Sequence, residues 1–130
     1  MDKEKIINYL EENELSEVEM ISEQKDLFVT RFYYDFDETE LKAAEAYAND
    51  GSGKEKSDSW YEEFYIPYLT ELAVDNVGEL MEEIMEDMGL KAQFVAYEME
   101  IDSDFSEFIS IFYKDDIQVN IEDVLAKLGI

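Results

Sequence analysis

Leu27-Phe28-Val29-Thr30-Arg31-Phe32-Tyr33-Tyr34 is the stretch on which the fold turns: β-branched and aromatic residues crowd it, with polar turns on either side. The same run returns downstream. Phe28 to Asp35 aligns without a gap with Phe108-Ile109-Ser110-Ile111-Phe112-Tyr113-Lys114-Asp115. Further upstream, Ile6 to Leu15 aligns with Met81 to Leu90, pairing Ile6 with Met81, Tyr9 with Ile84, Leu10 with Met85 and Leu15 with Leu90. Each half therefore reads helix, strand, strand, helix, over about 1–49 and 67–130, the pattern of an internal duplication. Two hairpins from such halves predict an α+β domain whose four-stranded antiparallel sheet is packed with helices.

The remaining elements follow from periodicity and caps. Ile6, Ile7, Tyr9 and Leu10 predict a helix over 3–12, and a short strand is expected around 18–22. Asp37 and Glu40 form a capping pair for a helix through Leu41, Ala44 and Tyr47, expected to end at Asn49-Asp50-Gly51. Residues 49–57, small and polar with two glycines, read as a flexible loop. A short aromatic helix over 58–66 follows, and Pro67 then breaks it, kinks it or opens a new helix. The longest helix is expected over 67–88, with Gly89 as its C-cap. Strands over 91–101 and 106–114 flank Asp102-Ser103-Asp104, and a last helix over 121–128 is capped by Asn120.

The second and fourth strands are apolar on both faces. Phe28, Phe32 and Phe36 point one way, and Leu27, Val29 and Tyr33 the other; Phe108 and Phe112 oppose Ile109, Ile111 and Tyr113. A strand wetted on one face alternates apolar with polar residues. Either helices cover both faces of this sheet, or one face meets a second copy of the chain in a homodimer.

Charge excludes whole classes of partner. Against 35 Asp and Glu stand 10 Lys and Arg, a net charge of -25 that repels phosphate backbones and anionic lipid surfaces. Direct nucleic-acid or membrane binding is therefore not expected. An apolar content of 46% supplies a real core, so the charge does not imply disorder. No apolar run long enough for a signal peptide or a membrane span occurs, and a cytoplasmic protein is the expectation.

With no His and no Cys, thiol catalysis, a Ser-His-Asp triad and ordinary zinc sites are ruled out. Gly51-Ser52-Gly53-Lys54-Glu55 has Glu where a phosphate-binding loop needs Ser or Thr, and it follows a helix. Asp102-Ser103-Asp104-Phe105-Ser106-Glu107 begins like a calcium loop but lacks Gly at its sixth position. No enzyme, cofactor or metal site is expected.

Two features remain as binding candidates. From Ser57 to Leu90 there is no Lys or Arg, and Asp75, Glu79, Glu82, Glu83 and Glu86 recur at helical spacing along the long helix. Like charges at that spacing weaken a helix, so a face without interspersed Lys points to a basic protein or peptide as partner. A nucleic-acid-binding protein, with the acids imitating phosphates, is one form of this reading. Next to the stripe lie Trp60, Tyr61, Phe64, Tyr65 and Tyr68. At α-helical spacing Trp60, Phe64 and Tyr68 share one face and Tyr61 and Tyr65 another, so one set is left to anchor a partner. The alternative from a different class is a small-ligand or divalent-cation site between sheet and helices.

Overall fold

The computed structural model describes residues 2–130. Its elements are α1 (Lys3–Glu12), β1 (Leu15–Glu23), β2 (Leu27–Asp35), α2 (Glu38–Ser52), a π-helical turn (Trp60–Tyr65) that runs directly into α3 (Ile66–Met88), β3 (Leu90–Ala96), β4 (Phe105–Lys114) and α4 (Ile121–Leu128). The four strands form one antiparallel sheet in the order β1-β2-β4-β3. This is the α+β fold expected, with helix-strand-strand-helix in each half.

The two strands of matching sequence meet at the centre of the sheet. β2 and β4 pair from Leu27↔Tyr113 to Asp35↔Phe105, with Thr30 opposite Ser110. Those two are also equivalent in the sequence alignment, so the local two-fold passes between them. Their buried hydroxyls hydrogen-bond at 2.8 Å. On either side of that axis lie two aromatic pairs: Phe32 stacks on Phe108 at 5.6 Å, and Phe28 meets Phe112 at 6.2 Å. The helix ends repeat as well. Glu14 and Gly89, equivalent residues that follow α1 and α3, both adopt left-handed backbone, at φ 69° and 65°.

Helices cover both sheet faces. Ile6 and Leu10 of α1, Ala44 and Ala48 of α2, and Leu69, Ala73, Val77, Met81 and Ile84 of α3 bury Phe28, Phe32, Phe108 and Phe112. On the opposite face Ile121 and Leu125 of α4 bury Leu27, Val29, Ile109 and Ile111. The two-fold therefore stops at the last helices: α2 joins α1 and α3, and α4 crosses to the far side. Gln93 holds it there, donating to the Val119 carbonyl at 2.7 Å and accepting from the Ile121 N–H at 3.2 Å. Beyond α4, the far face carries Arg31, the one arginine, 3.1 Å from both Glu19 and Glu107, and beside it the edge-to-face pair of Tyr33 and the exposed Phe105.

Four boundaries differ from expectation. The capping box of Asp37 and Glu40 does start α2, but the helix continues through Asn49-Asp50-Gly51 to Ser52. Gly51 allows this because a Cβ there would lie 2.4 Å from the Phe64 ring, and Gly53, at φ 69°, ends the helix instead. The loop expected at 49–57 shrinks accordingly. The aromatic helix is π rather than α and is not separated from α3. Pro67 lacks the N–H for Glu63 and its ring would clash with that carbonyl in an α-turn; widening the turn relieves both problems. β3 ends at Ala96, where 91–101 was expected. Tyr97-Glu98-Met99-Glu100-Ile101 alternates like a strand, yet its ladder stops with the Tyr97 N–H donating to the Glu107 carbonyl. Beyond that point the connection turns aside to bury Met99 and to accept the Phe36 N–H on the Asp104 carbonyl. β1 is longer than 18–22 and irregular, with register shifts after Ser16 and Met20 and a left-handed Glu17.

Candidate functional site

α3 places its acids by elementary helix geometry. With 100° between residues, Leu69, Ala73, Val77, Met81 and Ile84 turn to the sheet, leaving Asp75, Glu79, Glu82, Glu83 and Glu86 on the solvent side. All five are exposed. Among the described residues none forms a salt bridge; the chain's five ion pairs lie on other elements. Glu83 alone has a side-chain partner, the Tyr9 hydroxyl, which donates to it. That bond, aided by partial desolvation and by the charges of Glu83 and Asp87, pushes the Tyr9 phenol up to about 12.

The stripe borders three concavities. Near the start of α3, Tyr47, Pro67, Tyr68, Glu71, Leu72 and Asp75 line a groove of about 390 Å³. In it the Tyr47 and Tyr68 rings stand 5.3 Å apart, beside the two carboxylates. Midway along the helix, Glu79 and Glu83 face Glu14, Asp35, Asp37 and Glu40 across a cleft of about 370 Å³. The Tyr34 hydroxyl crosses its floor, donating to Glu40 at 2.7 Å and accepting from the Asn76 amide at 2.7 Å. Burial, reinforced by the Glu40 bond, pushes this phenol up to about 12. At the C-terminal end, Glu82 and Glu86 border a shallower groove of about 410 Å³ beside the start of β3, with Asp115 opposite. Among the described residues no set of three carboxylates converges closely enough to hold a metal ion.

The five aromatic candidates divide differently from the α-helical expectation. One extra residue per turn brings Trp60 and Tyr65, five apart, onto the same side, where they stack at 4.7 Å and are both buried. Trp60 is 2% exposed, and its indole N–H donates to Asn49 at 2.8 Å, tying the π-turn to the end of α2. Tyr61 packs edge-on against both. Phe64 and Tyr68 instead gather around Tyr47 of α2, which is 49% exposed. Trp60 and Tyr65 are thus core residues; Tyr68, with Tyr47, is the aromatic pair beside the acids. Sequence reasoning does not connect Tyr47 and the cleft acids Glu14, Asp35, Asp37 and Glu40 to the stripe, because they lie on or beside α1, α2 and β2 and only the packing against α3 brings them together; Glu71 is on α3 itself, one turn before Asp75.

Among the described residues no helix is long and apolar enough to cross a membrane. No protein-family model matches the chain, and neither does any curated protein or any solved structure.

Proposed function

We propose that this chain is a non-enzymatic binding domain that recognises a basic protein or peptide through the acidic face of α3. The observation that carries the reading is the missing counter-charge: Asp75, Glu79, Glu82, Glu83 and Glu86 are exposed, and none is paired with a cation among the described residues. Intrachain stability does not favour such a stripe, because like charges three and four apart cost a few tenths of a kcal/mol per pair. A cationic partner turns that cost into attraction, which steers encounter and fixes orientation. The groove at Tyr47 and Tyr68 adds a seat for a Lys or Arg side chain, with aromatic faces beside Glu71 and Asp75. A nucleic-acid-binding protein, with its phosphate-reading surface docked on α3, is one partner of this chemistry.

The test is affinity capture at low and high salt, with a control carrying Lys at Asp75, Glu79, Glu82, Glu83 and Glu86. The reading expects a basic protein that the wild type retains, salt releases and the control does not capture; its affinity is then measured with purified components. Identical recovery by both versions would refute it.

The cleft at Glu79 and Glu83 favours a second reading, a small organic cation. Six carboxylates surround it, with the Tyr34 hydroxyl and Asn76 amide on its floor. Spermidine titrated into wild type, Asp35→Asn and Glu86→Gln distinguishes this case: a cleft ligand loses affinity with the first change, which lies off α3, and keeps it with the second, which lies on the stripe outside the cleft.

A further inference from the structure

The sheet has two outer strands, and they are protected very differently. β1 carries Glu17, Glu19 and Glu23, breaks its register twice and turns Glu17 into left-handed backbone. These are the devices by which an edge is kept from pairing with another chain. β3 has neither the register breaks nor the left-handed residue. Leu90-Lys91-Ala92-Gln93-Phe94-Val95-Ala96 pairs with β4 in unbroken register, and its one charge, Lys91, sits at the N-terminal end.

The register also shows which backbone groups are unused. The Tyr97 N–H donates to the Glu107 carbonyl at 2.9 Å, continuing the ladder in which Lys91, Gln93 and Val95 face Tyr113, Ile111 and Ile109. In an antiparallel pair, alternate residues direct both N–H and C=O to the neighbour. Those of Ala92, Phe94 and Ala96 therefore point away from β4. Among the described residues no turn, loop or side-chain hydrogen bond reaches them. The side chains beside this edge are short or half-buried. α3 runs above it, close enough that Gly78 faces the Phe94 ring.

We infer that the free edge of β3 accepts an extended basic segment of the partner as a fifth strand. This rests on the reading of α3 as the surface for a basic partner and names the backbone that docks beside it. Charge decides the occupant. An added strand places alternate side chains on the α3 side, toward the groove where Glu82, Glu86 and Asp115 outnumber the single cation Lys91, and the others on the face of Val95 and Tyr97. A segment alternating Lys or Arg with β-branched residues satisfies both rows. A second copy does not: each chain carries a net charge of -25, and edge-to-edge pairing of β3 would set two acidic helices side by side. Main-chain hydrogen bonds supply the affinity in this mode, and the alternating side chains supply the selection.

The test uses a peptide alternating Arg with Val, matched to the seven residues of β3, and its fully backbone N-methylated analogue, which keeps every charge. Amide exchange is followed by NMR with the full chain. The inference expects the peptide to slow exchange at Ala92, Phe94 and Ala96, and the methylated analogue to bind about tenfold more weakly or worse. If both peptides bind equally and those amides stay unprotected, strand addition is overturned. In that case, salt-sensitive binding lost on changing Glu82 and Glu86 to Gln leaves the acidic-surface reading standing. Binding indifferent to salt and to those changes, or no binding, overturns both.

Discussion

Replacing Thr30 with Val removes one hydroxyl at the centre of the sheet while keeping the shape of the side chain. Thr30 and Ser110 are both fully buried and hydrogen-bond only to each other through their side chains, at 2.8 Å. The single change strands the Ser110 hydroxyl in an apolar layer between two Phe pairs, which costs about 1–3 kcal/mol. Ser110→Ala strands the Thr30 hydroxyl for a similar cost. The double variant leaves no orphan, so it should recover most of what either single change loses. Unfolding entropy of about 2.1 cal/mol/K per residue gives about 0.27 kcal/mol/K for a chain this long, so a 2 kcal/mol loss lowers Tm by about 7 °C. Thermal unfolding followed by circular dichroism completes the cycle and should give a coupling of about 1–2 kcal/mol. Single changes that add, or that leave Tm in place, would refute the view that this pair seals the junction of the two halves.

Glu14, left-handed at φ 69° where the equivalent residue after α3 is Gly89, should be improved by Gly. Relief of the left-handed penalty, less the added chain entropy, predicts a gain of about 1 kcal/mol, seen as a Tm rise of about 4 °C. Tyr9 and Tyr34 should be the last phenols to ionise: the Glu83 bond raises the first to about 12 and burial the second to about 12, above their unfolded value near 10. Since their folded values are the higher, the stabilisation they give is intact below pH of about 10 and is lost as pH rises toward about 12. Phenolate absorbance in native and urea-unfolded chain checks the order; two tyrosines titrating normally in the native protein would speak against the bonds. A net charge of -25 with so few ion pairs predicts that Tm climbs as ionic strength goes from about 0.01 to about 0.15 M, where the Debye length falls from about 30 to about 8 Å. A flat response would mean that the acids do not repel one another.

Most of the fold was legible because two signals were redundant. The repeated aromatic strand marked two of the four strands, and the capping pair Asp37-Glu40 and Asn120 marked helix starts that side chains alone determine. What escaped depended on contacts between distant segments. Asn49-Asp50-Gly51-Ser52 looks like a loop until Phe64 is packed on Gly51. The aromatic faces were misassigned because an α-helical period was applied to a π-turn set by Pro67. The side to which α4 crosses is decided by Gln93, a polar residue inside β3 that periodicity does not explain. At the candidate site, the acids of α3 were readable from spacing. Their neighbours Tyr47, Glu14, Asp37 and Glu40 were not, because no local pattern connects them to that helix.

The most direct test of the central claim separates the acidic face of α3 from net charge as such. One variant carries Gln at Asp75, Glu79, Glu82, Glu83 and Glu86; its control carries Gln at the equally exposed Glu4, Glu11, Glu12, Glu45 and Glu55. Both lose five charges, from -25 to -20. Affinity for the same arginine-rich peptide is then measured by calorimetry at low and physiological salt. The account predicts that the α3 variant weakens binding by about tenfold or more, about 1.4 kcal/mol, while the control stays near wild type. Equal losses in the two variants would show that the peptide senses only overall charge, and the assignment of a binding surface to α3 would fall.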